Sequence, residues 1–535
     1  MNQELYIRVS ANLESGIGHL MRTLRIARKV SSLGVTIGFF VDKKEPVIES
    51  LISPFEIHSL YDDSDFNSEI NDAEKVQNFL GKKNYPCFLI VDDYRLSYDW
   101  ESYLKSFNHT ILSIDDIERR HCSHFLLDSK WEGSKTLTRY EDSELTTKKF
   151  LGPGYILIDD SFKNIAKKNS VNQEKFVVFI SFGGGGDGRF LVEILRTFLK
   201  FTWSLSMTFK VVIGPYMTNK NDIMNYSKIH KNIHMIYGSK NLYNELKTVN
   251  LFLGASGTTL FEALALGLPT VSFSISDNQV NSIENLQDLG NFIHIGNIYS
   301  ISLDKFALLV EKLSLNIDRL ISLFMNHTYY KIDSFGTDRV SDIICAFLQG
   351  KDVSESCIPS VVNKPDDIEY KYEHIDDSYL NTYLNSRNLE KNQRNMINAE
   401  NISLIDHYLW WFTENSRSSF VLRKGAANKI FIWHEIKKVK AEISRVLIGG
   451  WFIGDISTSP LEANIALEHQ LSYCDKEYPG IPWVAVIHKD NKSTQAINKR
   501  HNFKLAIDGT KFHKIARLVF RDFSDKDFLV FYRNI

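Results

Sequence analysis

The feature that most constrains this chain is a motif that occurs twice, about 170 residues apart: an apolar strand, a glycine-bearing loop and an amphipathic helix. The first copy is LYIRVS (5–10), then ANLESGIG, then HLMRTLRIARKVSSLG, with apolar residues at Leu20, Leu24, Ala27 and Val30 at helical spacing. The second is KFVVFISF (175–182), then GGGGDG, then the helical RFLVEILRTFLKF. Each opens a βαβ series. After the first come strand-like TIGFFV (36–41), CFLIVDDY (87–94) and HTILSIDD (109–116). After the second come FKVVIG (209–214), IHMIYG (233–238), LFLGA (251–255) and TVSFSI (270–275). Strands alternating with helices imply parallel sheets covered on both faces. The expectation is α/β: two Rossmann-type lobes, residues 1–168 and 169–349, with ligand binding in a cleft at the carboxyl ends of the strands.

Helices are expected near 302–327 and 336–349, and then the composition changes. Residues 350–377, GKDVSESCIPSVVNKPDDIEYKYEHIDD, are polar and charged and lack apolar periodicity, as a linker does. A linker over 350–370 and a separate α+β domain over 371–535 follow. The chain of 535 residues carries a net charge of −2, which points to neither nucleic acid nor an anionic membrane as partner. No apolar run long enough to span a bilayer is present, and MNQELYIRVS has no signal-peptide core. The five cysteines are scattered without metal-ligand spacing. These readings together describe a cytoplasmic, metal-free protein.

Two turns carry the chemistry. Gly16 and Gly18 lead directly to His19 at a helix start, where bare backbone and unpaired N–H groups suit an anion such as a diphosphate. A histidine there can exchange a proton near neutral pH, or can merely satisfy a backbone carbonyl. GASGTTLFEALALGLPT (254–270) runs strand, turn, helix, turn and strand, so Ser256, Gly257, Thr258 and Thr259 form a second phosphate cradle. Glu262, one turn into that helix, could accept hydrogen bonds from a ribose diol or could simply complement the helix dipole. Asn278 and Gln279, after the next strand, could bond a sugar or phosphate or could be turn residues.

RVSANLESGIGHLMRTLRIA, IVDDYRLSYDWE, SIDDIERRHCSHFLLD, FLGPGYILIDDSF, FISFGGGGDGRF and GASGTTLFEALALGLPTVSFSISDNQ stand in this order along residues 4–330. This series resembles the UDP-2,4-diacetamido-2,4,6-trideoxy-β-L-altropyranose hydrolases of pseudaminic acid biosynthesis, themselves similar to MurG-type enzymes of the GT-B fold. The resemblance implies a cofactor-free, metal-independent hydrolase that releases UDP by water attack at the anomeric carbon. It implies His19 as the catalytic residue of a G-x-G-H-x-x-R motif, and Arg8, Gly16, Gly18, Arg22, Gly184, the 256–259 turn, Glu262, Asn278 and Gln279 as substrate contacts. Its partners would be a UDP-sugar and other enzymes of nonulosonic acid synthesis. Ser10 stands where the family has an aspartate, and Asp159 where it tends to have a basic residue. A MurG-like glycosyltransferase and a non-catalytic UDP-sugar-binding scaffold are the alternatives.

NQRNMINAENISLIDHYLWWF (392–412) resembles the opening of amino-sugar N-acetyltransferases of the GNAT fold, with Ile402, His407 and Trp410 in the I-x-x-x-x-H-x-x-W pattern. Asn491 matches a post-strand position of that fold. The resemblance implies acetyl-CoA, yet the segment STSPLEANIALEHQLSYCDKEY after IGGWFIGDI has no glycine to bare backbone amides for the coenzyme diphosphate.

Overall fold

The structure is a computed structural model; it describes residues 4–11, 17–62, 65–83, 85–144, 147–163, 175–237, 241–275, 282–353, 369–413, 416–441, 443–520 and 522–534. The chain forms two compact units, Met1–Ser360 and Val361–Ile535.

The first unit holds two parallel sheets. Seven strands make the N-terminal one: β1 (Glu4–Val9), β2 (Thr36–Val41), β3 (Glu56–Ser59), β4 (Phe88–Asp92), β5 (Thr110–Ile114), β6 (Phe125–Asp128) and β7 (Lys148–Leu151). Their order is β3-β2-β1-β4-β5-β6-β7, all pairs parallel. Six make the second: β8 (Phe176–Ser181), β9 (Met207–Ile213), β10 (Ile233–Tyr237), β11 (Leu251–Ala255), β12 (Thr270–Ser274) and β13 (Ile293–Asn297). Their order, β10-β9-β8-β11-β12-β13, repeats the first six of the other lobe. In both, the chain reverses direction of travel at the first strand, which opens a crevice at that strand's carboxyl end. Two Rossmann-type lobes in this arrangement are the expected GT-B-like fold.

Alternation along β1 shows how the N-terminal core is divided. Leu5, Ile7 and Val9 point to the layer containing helix α1 (Gly18–Ser32), whose Leu20, Leu24, Ala27 and Val30 are buried. Tyr6 points to the opposite layer, with Phe40, Val76 and Trp100. Arg8 shares that second face. It is fully buried, with bonds to Asp72 (2.7 Å) and Asp42 (2.6 Å). The expectation that Arg8 binds substrate is therefore corrected: strand alternation turns it away from the cleft and into an internal ion-pair network.

The lobe boundary expected at 349 also changes. Helix Gly336–Leu348 returns to the N-terminal lobe, where Val340, Ile343, Ile344 and, just beyond, Val353 join the core of β1 and α1. The expected long helix 302–327 is two helices, Leu303–Leu315 and Ile317–His327.

The second unit is an α+β domain built on one mixed sheet: β14 (Tyr370–His374), β15 (Ser418–Lys424), β16 (Ala427–Lys438), β17 (Arg445–Ile453), β18 (Trp483–His488), β19 (Lys504–Leu505) and β20 (Phe528–Arg533). The order is β14-β15-β16-β17-β18-β20-β19, and only β17 and β18 run parallel, paired at Leu447 and Trp483. Helix Pro460–Glu477 makes the crossover between them. This is an α+β layout, compatible with the separate α+β domain expected over 371–535.

Candidate active site

A cleft of about 1290 Å³ lies between the two lobes of the first unit. Gly18, His19, Arg22, Arg25, Tyr94 and Asp116 line it from the N-terminal side. Gly183–Gly186, Gly214 and the 256–259 turn line it from the other, together with Glu262.

His19 sits in the first turn of α1, beside the switch between β1 and β4. Its Nδ1 lies 2.5 Å from Oδ1 of Asp92, the last residue of β4. Two acceptors would repel at that distance, so the ring proton is on Nδ1 and is donated to the carboxylate. Nε2 has no hydrogen-bond partner among the described residues. Arg22, one turn further along α1, grips both oxygens of Asp92 at 2.6 and 2.5 Å and reaches Asp116 at 3.0 Å. Burial alone would raise the Asp92 carboxyl, but Arg22 and His19 outweigh it and hold it at about 2, ionised. Tyr94 packs edge-on against His19 with ring centroids 4.6 Å apart, and its hydroxyl donates to Asp116 at 2.5 Å.

The opposite wall is made of backbone. At the start of helix Thr258–Ala265, the N–H groups of Thr258 and Thr259 have no partner among the described residues, and both residues line the cleft. A Cβ built on Gly257 meets nothing within 4 Å, and its φ of −125° suits any residue, so glycine here leaves open space rather than relieving strain. Gly184 differs: a Cβ there would come 2.6 Å from the Ile17 side chain, at a close approach of the two lobes. Ser256 is not a free hydroxyl donor, because its Oγ and its N–H both go to the Phe273 carbonyl.

Glu262 lines the cleft but is buried, and its carboxylate is paired with Arg25 of α1. Burial pushes its carboxyl above the ordinary range; Arg25 opposes this and Asp159 adds to it. Gly16, Asn278 and Gln279 lie outside the described residues. Sequence reasoning passed over Asp92, Tyr94, Asp116 and Arg25. The first three lie in segments read as strands and quoted in the motif series with no role given to these residues, although an acid at the carboxyl end of a strand beside a switch point is a signal in itself.

In the second unit the three proposed acyltransferase residues hold the fold together. His407 is buried and donates Nε2–H to the Leu380 carbonyl at 2.7 Å; burial lowers its pKa to about 4. Trp410 stacks on Tyr383, and Asn491 caps helix Lys492–Arg500 by accepting from Thr494 N–H at 3.1 Å. The coenzyme A diphosphate does not fit the start of helix Pro460–Glu477. Pro460 has no N–H to offer, and Ser459 and Glu462 close a reciprocal capping box that places a carboxylate where the anion would lie.

No family model matches the chain. An uncharacterized protein of Methanocaldococcus jannaschii is 25% identical over 278 residues, 50% of this chain and 55% of that protein, so the chain spans about half the length of the curated relative it matches. Among solved structures, MurG of Acinetobacter baumannii is 10% identical, with a TM-score of 0.47 over 64% of this chain and 99% of that one. A putative UDP-N-acetylglucosamine 2-epimerase of Listeria monocytogenes is 13% identical, with a TM-score of 0.42 over 67% and 100%. An S. aureus MnaA–UDP complex is 11% identical, with a TM-score of 0.42 over 66% and 100%. Among the described residues, no helix is long and apolar enough to cross a membrane.

Proposed function

We propose that the first unit is a UDP-sugar hydrolase that releases UDP and a 2,4-diacetamido-2,4,6-trideoxyhexose. The observation that carries this reading is His19 on the cleft wall, backed by the fully buried Asp92: the carboxylate fixes the ring and leaves Nε2 as a lone-pair acceptor. Water attacks the anomeric carbon and gives a proton to Nε2. The bond from that carbon to the diphosphate oxygen breaks, and its electron pair leaves with UDP. The N–H groups of Thr258 and Thr259 and the dipole of their helix favour the charge that develops on the departing diphosphate. The order of sequence motifs supports the choice of UDP and of a diacetamido sugar. Incubating the purified protein with candidate UDP-sugars, with water as the only acceptor, and measuring UDP tests it.

A MurG-like glycosyltransferase is the second reading. Val47 and Ile117, 37% and 49% exposed, sit on the N-terminal side of the cleft beside Leu51 and Met21, and such apolar surface suits a large acceptor. A requirement for an added acceptor in the same assay would favour it. The second unit is an α+β domain whose helix start does not fit a coenzyme A diphosphate, which supports a structural or substrate-presenting part rather than acyl transfer.

A further inference from the structure

Helix α1 carries His19, Arg22 and Arg25 at intervals of three residues, and each engages a carboxylate at the cleft. His19 and Arg22 hold Asp92 of the N-terminal lobe, and Arg25 holds Glu262 of the other lobe. Arg25 also donates Nη1–H to the Leu157 carbonyl at 2.5 Å, on the segment that leads out of the N-terminal lobe. The Arg25 and Glu262 side chains are only 8% and 5% exposed. The opposite face of α1 is locked by Leu20, Leu24 and Ala27 in the core, so the helix cannot turn to release one contact and keep the others. A guanidinium presents a planar fork of donors, which fixes the rotation of a carboxylate as well as its position.

We propose that Arg25 is a positioning residue: it holds Glu262 in the orientation that receives the nucleotide ribose, and it ties that contact through α1 to His19. This rests on the reading of the first unit as a UDP-sugar enzyme. One helix would then set both the nucleotide grip and the reacting base.

The test is a double-mutant cycle read by calorimetry with UDP, using the full chain and the variants Arg25→Met, Glu262→Gln and both together. The double variant leaves no lone buried charge, which protects the fold, and circular dichroism checks each protein. Each single variant is expected to bind UDP about tenfold more weakly. The double should be weaker by about tenfold as well, not by the hundredfold of independent effects. At saturating UDP-sugar, Arg25→Met should also turn over several-fold more slowly, because the helix has lost its tie to the other lobe. Additive losses, tighter UDP binding by Arg25→Met, or an unchanged saturated rate would each overturn the proposal while leaving the hydrolase reading intact. A wild-type chain that binds no UDP would overturn both.

Discussion

The two lobes of the first unit share the strand order of their first six strands yet present opposite kinds of surface to the cleft. The N-terminal lobe offers side chains: His19, Arg22 and Arg25 on one helix, facing Asp92, Tyr94 and Asp116 at strand ends. The C-terminal lobe offers backbone: a run of glycines after β8 and a bare turn before helix Thr258–Ala265. On the proposed reading, the same topological crevice serves two tasks. Proton chemistry needs side chains held by charge partners, whereas a diphosphate is held by N–H groups that only small residues leave accessible. The lobes differ in self-sufficiency too, since the N-terminal core borrows helix Gly336–Leu348 from beyond the other lobe.

That borrowing gives the largest expected effect. A chain ending at residue 335 loses Val340, Ile343 and Ile344 from the N-terminal core. At about 1.5–3 kcal/mol for each buried aliphatic side chain, the loss rivals the whole stability of a domain. It should fail to fold by circular dichroism, whereas a chain ending at 360 should melt cooperatively and retain UDP binding. A folded 335-residue product would show that the N-terminal lobe is complete without that helix.

Side-chain chemistry on one wall is tested by Asp92→Asn. The amide can no longer match a ring N–H as an ionised carboxylate does, and Arg22 loses its bidentate partner. UDP release should slow by about a hundredfold with UDP affinity within a few-fold of wild type, since lost general-base help acts on turnover. Equal loss of affinity would mean that Asp92 serves binding.

Backbone chemistry on the other wall is tested by Gly257→Val beside Gly184→Val. Valine at 257 has open space and an allowed φ, so melting should be unchanged while its side chain fills the cradle and weakens UDP about tenfold or more. Valine at 184 meets Ile17 and should lower the melting temperature. Unaltered UDP affinity in Gly257→Val would place the nucleotide elsewhere.

The smallest effect comes from a buried histidine behind the N-terminal wall of the cleft. His121 lies between Glu101 (2.6 Å) and Asp115 (3.3 Å). Burial alone would lower its pKa, but bonds to Asp115 and Glu101 outweigh this and raise it to about 9. A folded pKa above the unfolded value near 6.5 gives stability that is complete below 6.5 and lost as pH rises through 9. Thermal melts of the 1–360 chain should therefore show a decline between pH 7 and 9.5 that His121→Gln lacks. Parallel pH profiles of the two proteins would refute it.

Much of the fold was legible because buried parallel strands are continuous apolar runs. TIGFFV and LFLGA are strands over the residues expected, Thr36–Val41 and Leu251–Ala255. Short strands such as Glu56–Ser59 and Lys148–Leu151 were not legible, because EIHS and KKFL have neither alternation nor length. At the site, His19 and the 256–259 turn could be found from glycine placement before a helix. Asp92 could not be paired with His19 from spacing alone, since 73 residues separate them and only the sheet order joins them. Arg8 misled for a related reason: the resemblance implied a substrate contact, and only alternation along the strand assigns the residue to the face away from the cleft.

The central claim is that water is the acceptor and His19 its base. The measurement is UDP release from a 2,4-diacetamido UDP-sugar with no acceptor but water, by wild type and His19→Ala, with UDP affinity of both determined by calorimetry. The account predicts release by wild type down to the last substrate molecule, a rate lower by about a hundredfold or more in His19→Ala, and UDP affinities within a few-fold. Release that begins only when a second sugar or lipid acceptor is added, or a His19→Ala enzyme that keeps the wild-type rate, would contradict it.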